Sequence, residues 1–290
     1  MQVDVLWRAT RAYSLPASVV PVALGTVLAA RGYGGTGQGH FSASRLVLTL
    51  VGGILAHVGA NVINDYFDFV KGVDTRQEHG SGVLTGGMMT PRAVLVFALM
   101  LLAGAGACGF LLFRNNSYLI ALVAVGLGCA VLYPTYLKKY GLGDLLIVLA
   151  FGLGLTLGAY EVQTGSQRLY EWSWVALYSI PVCLLVDAIL HANNLRDSAD
   201  DRAAHVRTLA TLLPQAAGEL WQKCLLFGPL AFIAVGVITR FLPVWSLGTL
   251  LSLPFLIRAA RSGSVPGTAQ THLVFGLLYT VSLSVPPVFI

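Results

Sequence analysis

The chain has 290 residues, 56% of them hydrophobic and 11% charged, with a mean hydropathy of +0.74 and a formal net charge of +5. A soluble globular protein carries about twice that charged fraction, which excludes a water-soluble fold. The apolar stretches are continuous, not alternating, which argues against a β-barrel; no stripe of interleaved cations and aromatics argues for nucleic acid.

Apolar runs long enough to cross a hydrocarbon core of roughly 30 Å recur along the whole length. They predict an all-α polytopic membrane protein with nine transmembrane helices around a central cavity. The spans fall near 13–30, 46–64, 92–113, 117–135, 144–162, 172–193, 221–240, 243–258 and 270–289. A short basic amphipathic lead precedes the first span and no cleavage site follows it, so no cleavable signal is expected. Two connections are longer than the rest, at about 66–91 and 195–220. The first contains Gly80, Gly82, Gly86 and Gly87 and ends at Thr90-Pro91, an N-cap followed by proline at the first helical position. The second reads as a helical extension of the sixth span. Residues 1–290 are expected to form one intramembrane domain.

With a cytoplasmic N-terminus, 13 of the 18 lysines and arginines fall on inner segments and 5 on outer ones. That split obeys the positive-inside rule and turns both long connections toward the cytoplasm. Cys108, Cys129, Cys183 and Cys224 lie in or beside spans with no CxxC pair, so they read as packing residues.

Seven of the 13 acidic residues lie within 61–91 and 191–210. Carboxylates cost several kcal/mol when desolvated, so acids gathered at the edge of apolar spans call for a function. Asn61, Asn64, Asp65 and Asp68 recur at helical spacing on one face, and Gly72 permits a turn that returns Asp74 toward them. Asn193, Asp197 and Asp201 repeat every four residues, with Asn194 one turn before Asp197. Asn61, Asp65 and Asp68 are echoed 132 residues later by Asn193, Asp197 and Asp200, as duplication or convergence would leave them. Carboxylates and amides suit Mg²⁺, which brings a phosphate with it; Lys71, Arg196, Arg202 and Arg207 would hold the remaining phosphate oxygens. Solvated helix ends with surface ion pairs are the plain alternative. A cation-coupled transporter is another, although it would place ionisable groups near the midplane, where His57 and Asp187 are the main candidates.

The stretches Asn64-Asp65-Tyr-Phe-Asp68-Phe-Val-Lys71-Gly72-Val-Asp74 and Asn193-Asn194-Leu-Arg196-Asp197-x-x-x-Asp201-Arg202 resemble the two signature motifs of the UbiA superfamily of intramembrane prenyltransferases. Further likeness runs through Leu137–Asp144, Gly158–Gly165 and Arg207-Thr208-Leu209-Ala210. Asp74 follows Asp68 by six residues, a spacing similar to that of the branch that makes menaquinone by prenylating dihydroxynaphthoate, and Gln163-Thr164-Gly165 points the same way. The second motif usually continues with Ala-Gly and a lysine; here His205 and Val206 follow Ala204 instead, and Glu161 stands where an aromatic is common.

The resemblance implies a site. Asn64, Asp65, Asp68 and Asp74 on one side, with Asn194, Asp197 and Asp201 on the other, would hold Mg²⁺. Asp68, Asp197, Asp201 and Asn64 would carry catalysis. Lys71, Lys139, Arg196, Arg202, Arg207, Asn193, Tyr140 and Tyr160 would bind the polyprenyl diphosphate and the aromatic acceptor. The branch implies prenylation of 1,4-dihydroxy-2-naphthoate with loss of CO₂, in a bacterial inner membrane with the motif loops toward the cytoplasm. A relative that cyclises the same diphosphate would share these motifs. His57, one turn before Asn61, and the pair Asp187 and His191 read as supporting groups.

Overall fold

The computed structural model describes residues 3–34, 37–73, 80–113, 117–132, 140–166 and 168–289, and all regular structure among them is helical. Asp74 and Lys139 lie outside the described residues. α1 (Val3–Thr10) is amphipathic and leaves Trp7 exposed. Arg11 then takes a left-handed backbone (φ 49°), and the chain bends by 54° into α2 (Pro16–Ala30), which has proline in its first turn. α2 runs through the core, with Val20, Val22, Leu24 and Leu28 fully buried. Gly25 is what lets it lie against the helix that carries Thr156, because a β-carbon there would overlap the Thr156 carbonyl.

α3 (Ala43–Val70) packs along α4 (Pro91–Leu112), with Gly59 of α3 facing Leu102 of α4. Thr90 caps α4 as the Thr-Pro pair predicts, its hydroxyl accepting from the Ala93 amide at 3.3 Å. α5 (Ser117–Leu132) follows, then α6 (Gly143–Thr164), which widens into a π-helix over Val148–Gly154. α7 (Leu169–Ala203) is 35 residues long and continues unbroken through the second motif. α8 (Leu209–Leu212) is one turn held by a reciprocal Thr208–Thr211 capping box. α9 (Gln215–Ile238), α10 (Leu253–Ser262, entered through a 3-10 segment over Val244–Ser252) and α11 (Val265–Ser284) complete the bundle.

Helical structure stands at each of the nine predicted positions. Among the described residues five helices are long and apolar enough by themselves to cross a membrane, namely α3, α4, α6, α7 and α9, and a sixth span results if the bent α1–α2 pair is counted as one. α5, α10 and α11 fall short of that test by length or hydropathy. The two longest helices explain where the motifs sit. At 1.5 Å per residue α3 is about 42 Å long and α7 about 52 Å, both longer than a hydrocarbon core of roughly 30 Å. Their surplus lies at the C-terminal ends, which carry Asn61–Asp68 and Asn193–Asp201.

Candidate active site

The ends of α3 and α7 wall one cavity of about 230 Å³. α3 contributes His57, Asn61, Asn64 and Asp68, and α7 contributes Asn193, Asn194, Asp197, Asp200 and Asp201. Arg11 enters from the α1–α2 junction. Apolar wall comes from α5 and α6, including Gly126, Ala130, Ile147, Ala150 and Phe151. Ala150 and Phe151 belong to the π-helical segment, whose extra residue per turn re-aims side chains; such segments recur at functional sites.

The two motifs use the same local device. Asn64 donates its amide to Asp68 at 2.8 Å, and Asn193 donates to Asp197 at 3.3 Å, each across one helical turn. The match in the fold therefore pairs Asn64–Asp68 with Asn193–Asp197, one turn away from the echo read in the sequence. Holding the amide nitrogen against the carboxylate fixes both groups and turns the amide oxygen outward. The Asn64 Oδ1 is buried with no donor, as a cation-facing ligand would be. Asp68 is buried (4% exposed), and Asp201 is 9% exposed. Among the described residues no three acidic, histidine or cysteine side chains converge on one metal position. The donors stand instead in small groups on two walls with space between, which suits Mg²⁺ held by few carboxylates and completed by phosphate oxygens.

Asp197 has a second partner. Arg196 grips it with two bonds, Nε to Oδ1 and Nη2 to Oδ2, both at 2.7 Å, and also donates to Asn193 Oδ1 at 2.9 Å. This fork pins the second motif's outer turn and sets a guanidinium against Asn193 and Asp197, two residues of the cavity wall.

Asp65 is committed elsewhere. Its carboxylate forms an ion pair with Arg11 and accepts the Ser81 amide at 3.1 Å, so it ties the N-terminal segment and the post-motif loop to α3. It does not border the cavity, unlike Asp68 one turn later. His57 is likewise engaged: Ser18 Oγ lies 2.7 Å from Nδ1 and Ser14 Oγ 3.1 Å from Nε2. Ser14 already gives its proton to the Arg11 carbonyl at 2.8 Å and takes the Asn61 amide at 3.3 Å. Ser14 must therefore accept from His57 Nε2–H, leaving Nδ1 to accept from Ser18, and neither ring nitrogen remains for a metal.

Besides Arg196, five residues expected to bind substrate lie away from the cavity wall. Lys71 caps α3 from an exposed position, its ammonium 5.8 Å from the Phe67 ring centre. Arg202 donates to the Ala210 and Leu213 carbonyls at 3.0 and 3.4 Å, which fastens α8. Arg207 packs against Gly141, and Tyr140 is 59% exposed. Tyr160 is fully buried at the opposite end of α6, where its hydroxyl donates to Glu171 at 3.0 Å. Glu161 beside it accepts from the Trp172 indole at 2.9 Å. Gln163 makes two bonds to the Ser42 backbone, at 2.7 and 3.1 Å, and so joins the end of α6 to the start of α3. Conversely, Arg11 was not expected; its only signal is a lone cation closing the amphipathic lead. Asp200 stood in the sequence echo but outside the expected ligand set, and it borders the cavity.

A second, apolar cavity of about 150 Å³ adjoins the first, sharing Gly53, Ala56, Gly126, Ala150 and Leu155 with it. It continues between α3, α4, α5 and α6 to Leu48, Leu112, Leu119 and Val162. Along α3 the path from Asn64 to Leu48 spans about 24 Å.

These features define an integral membrane enzyme whose polar head site opens into an apolar chamber. Residues 18–279 match the UbiA prenyltransferase family, and the chain belongs to it: it is a UbiA-family prenyltransferase. It is 33% identical to the UbiA prenyltransferase domain-containing protein 1 homolog of Drosophila melanogaster over 94% of this chain and 77% of that one. It is 31% identical to the human UbiA prenyltransferase domain-containing protein 1 over 96% of this chain and 83% of that one. In fold it is similar to an apo UbiA homolog from Aeropyrum pernix (TM-score 0.71, 18% identity, 93% of this chain and 96% of the other). It is also similar to a UbiA homolog from Archaeoglobus fulgidus bound to GPP and Mg²⁺ (TM-score 0.59, 12% identity, 97% and 100%). The two sequence relatives bear a name of their own and come from animals. Neither the dihydroxynaphthoate branch nor the bacterial membrane expected from the sequence follows from them.

Proposed function

We propose that this prenyltransferase carries a polyprenyl group from its diphosphate to an aromatic acceptor, 1,4-dihydroxy-2-naphthoate with loss of CO₂, in the synthesis of a menaquinone-type quinone. The observation that carries the reading is the cavity with an Asn–Asp pair on each of two walls, joined directly to an apolar chamber. An allylic diphosphate has that polarity, a multiply charged head and a hydrocarbon tail. The six-residue Asp68-to-Asp74 spacing supports the naphthoate branch as acceptor.

The donor set fits Mg²⁺, consistent with the Archaeoglobus fulgidus homologs bound to GPP or DMAPP with Mg²⁺. Asn64 and Asp68 would hold it on α3, with Asp197, Asp201 and Asn194 on α7, and Asp74 would join the first group. Bound there, Mg²⁺ supplies charge neutralisation for the diphosphate and stabilises it as a leaving group. The chain does the rest. Arg196, bonded to Asn193 and Asp197 of the cavity wall, would add positive charge beside the diphosphate as the C–O bond breaks. Gly126, Ala150 and Phe151 keep water from the allylic cation until the ring attacks. We place the motif ends on the cytoplasmic side, with nine spans and a cytoplasmic N-terminus, because the 13-to-5 division of cations supports it.

The test is transfer by the purified protein given geranylgeranyl diphosphate, 1,4-dihydroxy-2-naphthoate and Mg²⁺. A prenylated, decarboxylated product is expected, and EDTA, Asp68→Asn and Asp201→Asn should each abolish it. Diphosphate release without that product would reject the naphthoate acceptor and leave another aromatic, or cyclisation. No release from any allylic diphosphate would reject the reading altogether.

A further inference from the structure

Asn61, Asn64, Asn193 and Asn194 all border the cavity. Three of them have the amide nitrogen engaged: Asn61 donates to Ser14 at 3.3 Å, Asn64 to Asp68 at 2.8 Å and Asn193 to Asp197 at 3.3 Å. Asn194 differs. It is 6% exposed, and its Nδ2 is buried with no acceptor among the described residues. The two walls therefore carry unpaired amide atoms of opposite kind. Asn64 Oδ1 on α3 lacks a donor, and Asn194 Nδ2 on α7 lacks an acceptor. A buried N–H left without an acceptor is costly, and on a cavity wall the partner it calls for is an oxygen that arrives with the substrate.

Depth along α7 says which oxygen. Asp197 and Asp201 lie three and seven residues beyond Asn194, about 4.5 and 10.5 Å along the axis toward the helix end. Leu190, one turn further in, also borders the cavity, and α6 adds Ile147 and Phe151 at the wall. Asn194 thus stands inward of the two carboxylates, on the way to the apolar wall. In a bound allylic diphosphate the carbon that reacts lies between the charged head and the tail, so the attacking ring must come alongside at that level. A carboxylate on that ring would be stranded in apolar surroundings without a donor. Other donors of the wall are engaged elsewhere: His57 Nε2–H on Ser14, and Arg11 in its pair with Asp65.

We infer that Asn194 Nδ2 donates to the carboxylate of the aromatic acceptor, and that this bond makes the enzyme select acceptors that carry one. The inference rests on the aromatic acceptor proposed above and assigns the group that holds it. Nδ2 and Oδ1 lie on opposite sides of the amide, so the oxygen stays with the metal while the nitrogen serves the acceptor. Held by its carboxylate, the ring has one orientation toward the allylic carbon. The charge of the diphosphate is met by Mg²⁺ and needs no share of this amide.

The experiment uses the full chain in lipid nanodiscs with Mg²⁺. Calorimetry, blanked against empty nanodiscs, compares the binding of 1-hydroxy-2-naphthoate and 1-naphthol, which differ only in the carboxylate. Wild type should bind the carboxylated compound at least about tenfold more tightly, the scale of a hydrogen bond to a charged group. That preference should vanish in Asn194→Leu and reverse in Asn194→Asp, where carboxylate meets carboxylate. Asn194→Leu should also unfold at a higher temperature than wild type without substrate, because an unpaired buried donor is gone. A preference that persists in both variants, or a wild type that shows none, overturns the inference. A lower unfolding temperature for Asn194→Leu overturns it too, since the amide is then paired in the resting protein. A raised Mg²⁺ requirement with the preference intact assigns the amide to the metal alone and overturns it as well. Wild-type protein that alkylates no aromatic acceptor overturns the functional reading and this inference together; wild-type transfer with the preference unchanged in the variants overturns this inference alone.

Discussion

Replacing Arg11 with alanine tests whether Asp65 is a clamp and not a metal ligand. The two side chains form an ion pair with 14% and 6% of their surfaces exposed, and among the described residues Asp65 keeps its Ser81 contacts when Arg11 is removed. Removing one member of a buried pair costs roughly 3–5 kcal/mol, because the remaining charge stays desolvated. Water reaches the Arg11 side more readily than the Asp65 side, which puts the expected loss at the lower end, about 3 kcal/mol. Removing both charges leaves no unpaired charge behind, so Arg11→Met/Asp65→Leu should recover most of that loss. The assay is reversible unfolding in mixed micelles for the two single variants and the double, read as a mutant cycle. Mg²⁺ half-saturation of transfer is measured alongside for Asp65→Asn. Arg11→Ala within about 1 kcal/mol of wild type, or a double variant no more stable than the singles, would refute the clamp. A large rise in the Mg²⁺ requirement with unchanged stability in Asp65→Asn would return Asp65 to the metal set.

Arg196→Ala frees Asp197 from a fork that is 40% exposed, so the interaction is worth about 1 kcal/mol after screening; half-saturating Mg²⁺ should fall about fivefold, measured by titration of activity. Gly126 borders both cavities, and a β-carbon added there would meet nothing within 4 Å, so Gly126→Leu should fold normally and disfavour long tails. Each excluded methylene costs about 0.8 kcal/mol, and competition between geranyl and geranylgeranyl diphosphate reads the shift. Gly25→Ala should destabilise the bundle by about 1–3 kcal/mol, because the new methyl overlaps the Thr156 carbonyl; an unchanged unfolding midpoint would contradict the α2–α6 packing.

What was legible in the sequence was periodic. Asn64 and Asp68, like Asn193 and Asp197, are four apart on helices, and the same spacing that marked them as one face produces the bonds between them. Partnerships between elements were not legible. Arg11 meets Asp65 from 54 positions away, through a left-handed turn that no periodic pattern announces. Tyr160 looked like a cavity aromatic, but its hydroxyl is spent on Glu171, across the turn joining α6 to α7. Arg202 sits in a motif yet serves α8, because two carbonyls at a helix end need a donor. Widening of α6 into a π-helix leaves no mark on the hydrophobic pattern, since every residue around the turn is apolar.

The bonds of Gln163 to the Ser42 backbone, with Arg45 donating to the Val162 and Gln163 carbonyls at 3.2 and 3.0 Å, fasten α3 to α6 at the end remote from the motifs. Two long rods pinned at one end can part only by pivoting about the pin. A given angular swing then opens the motif end most and the pinned end least, as with the jaws of tongs. A swing about that pin would make room for a charged head at the motif end and leave the apolar floor, nearest the pin, least disturbed.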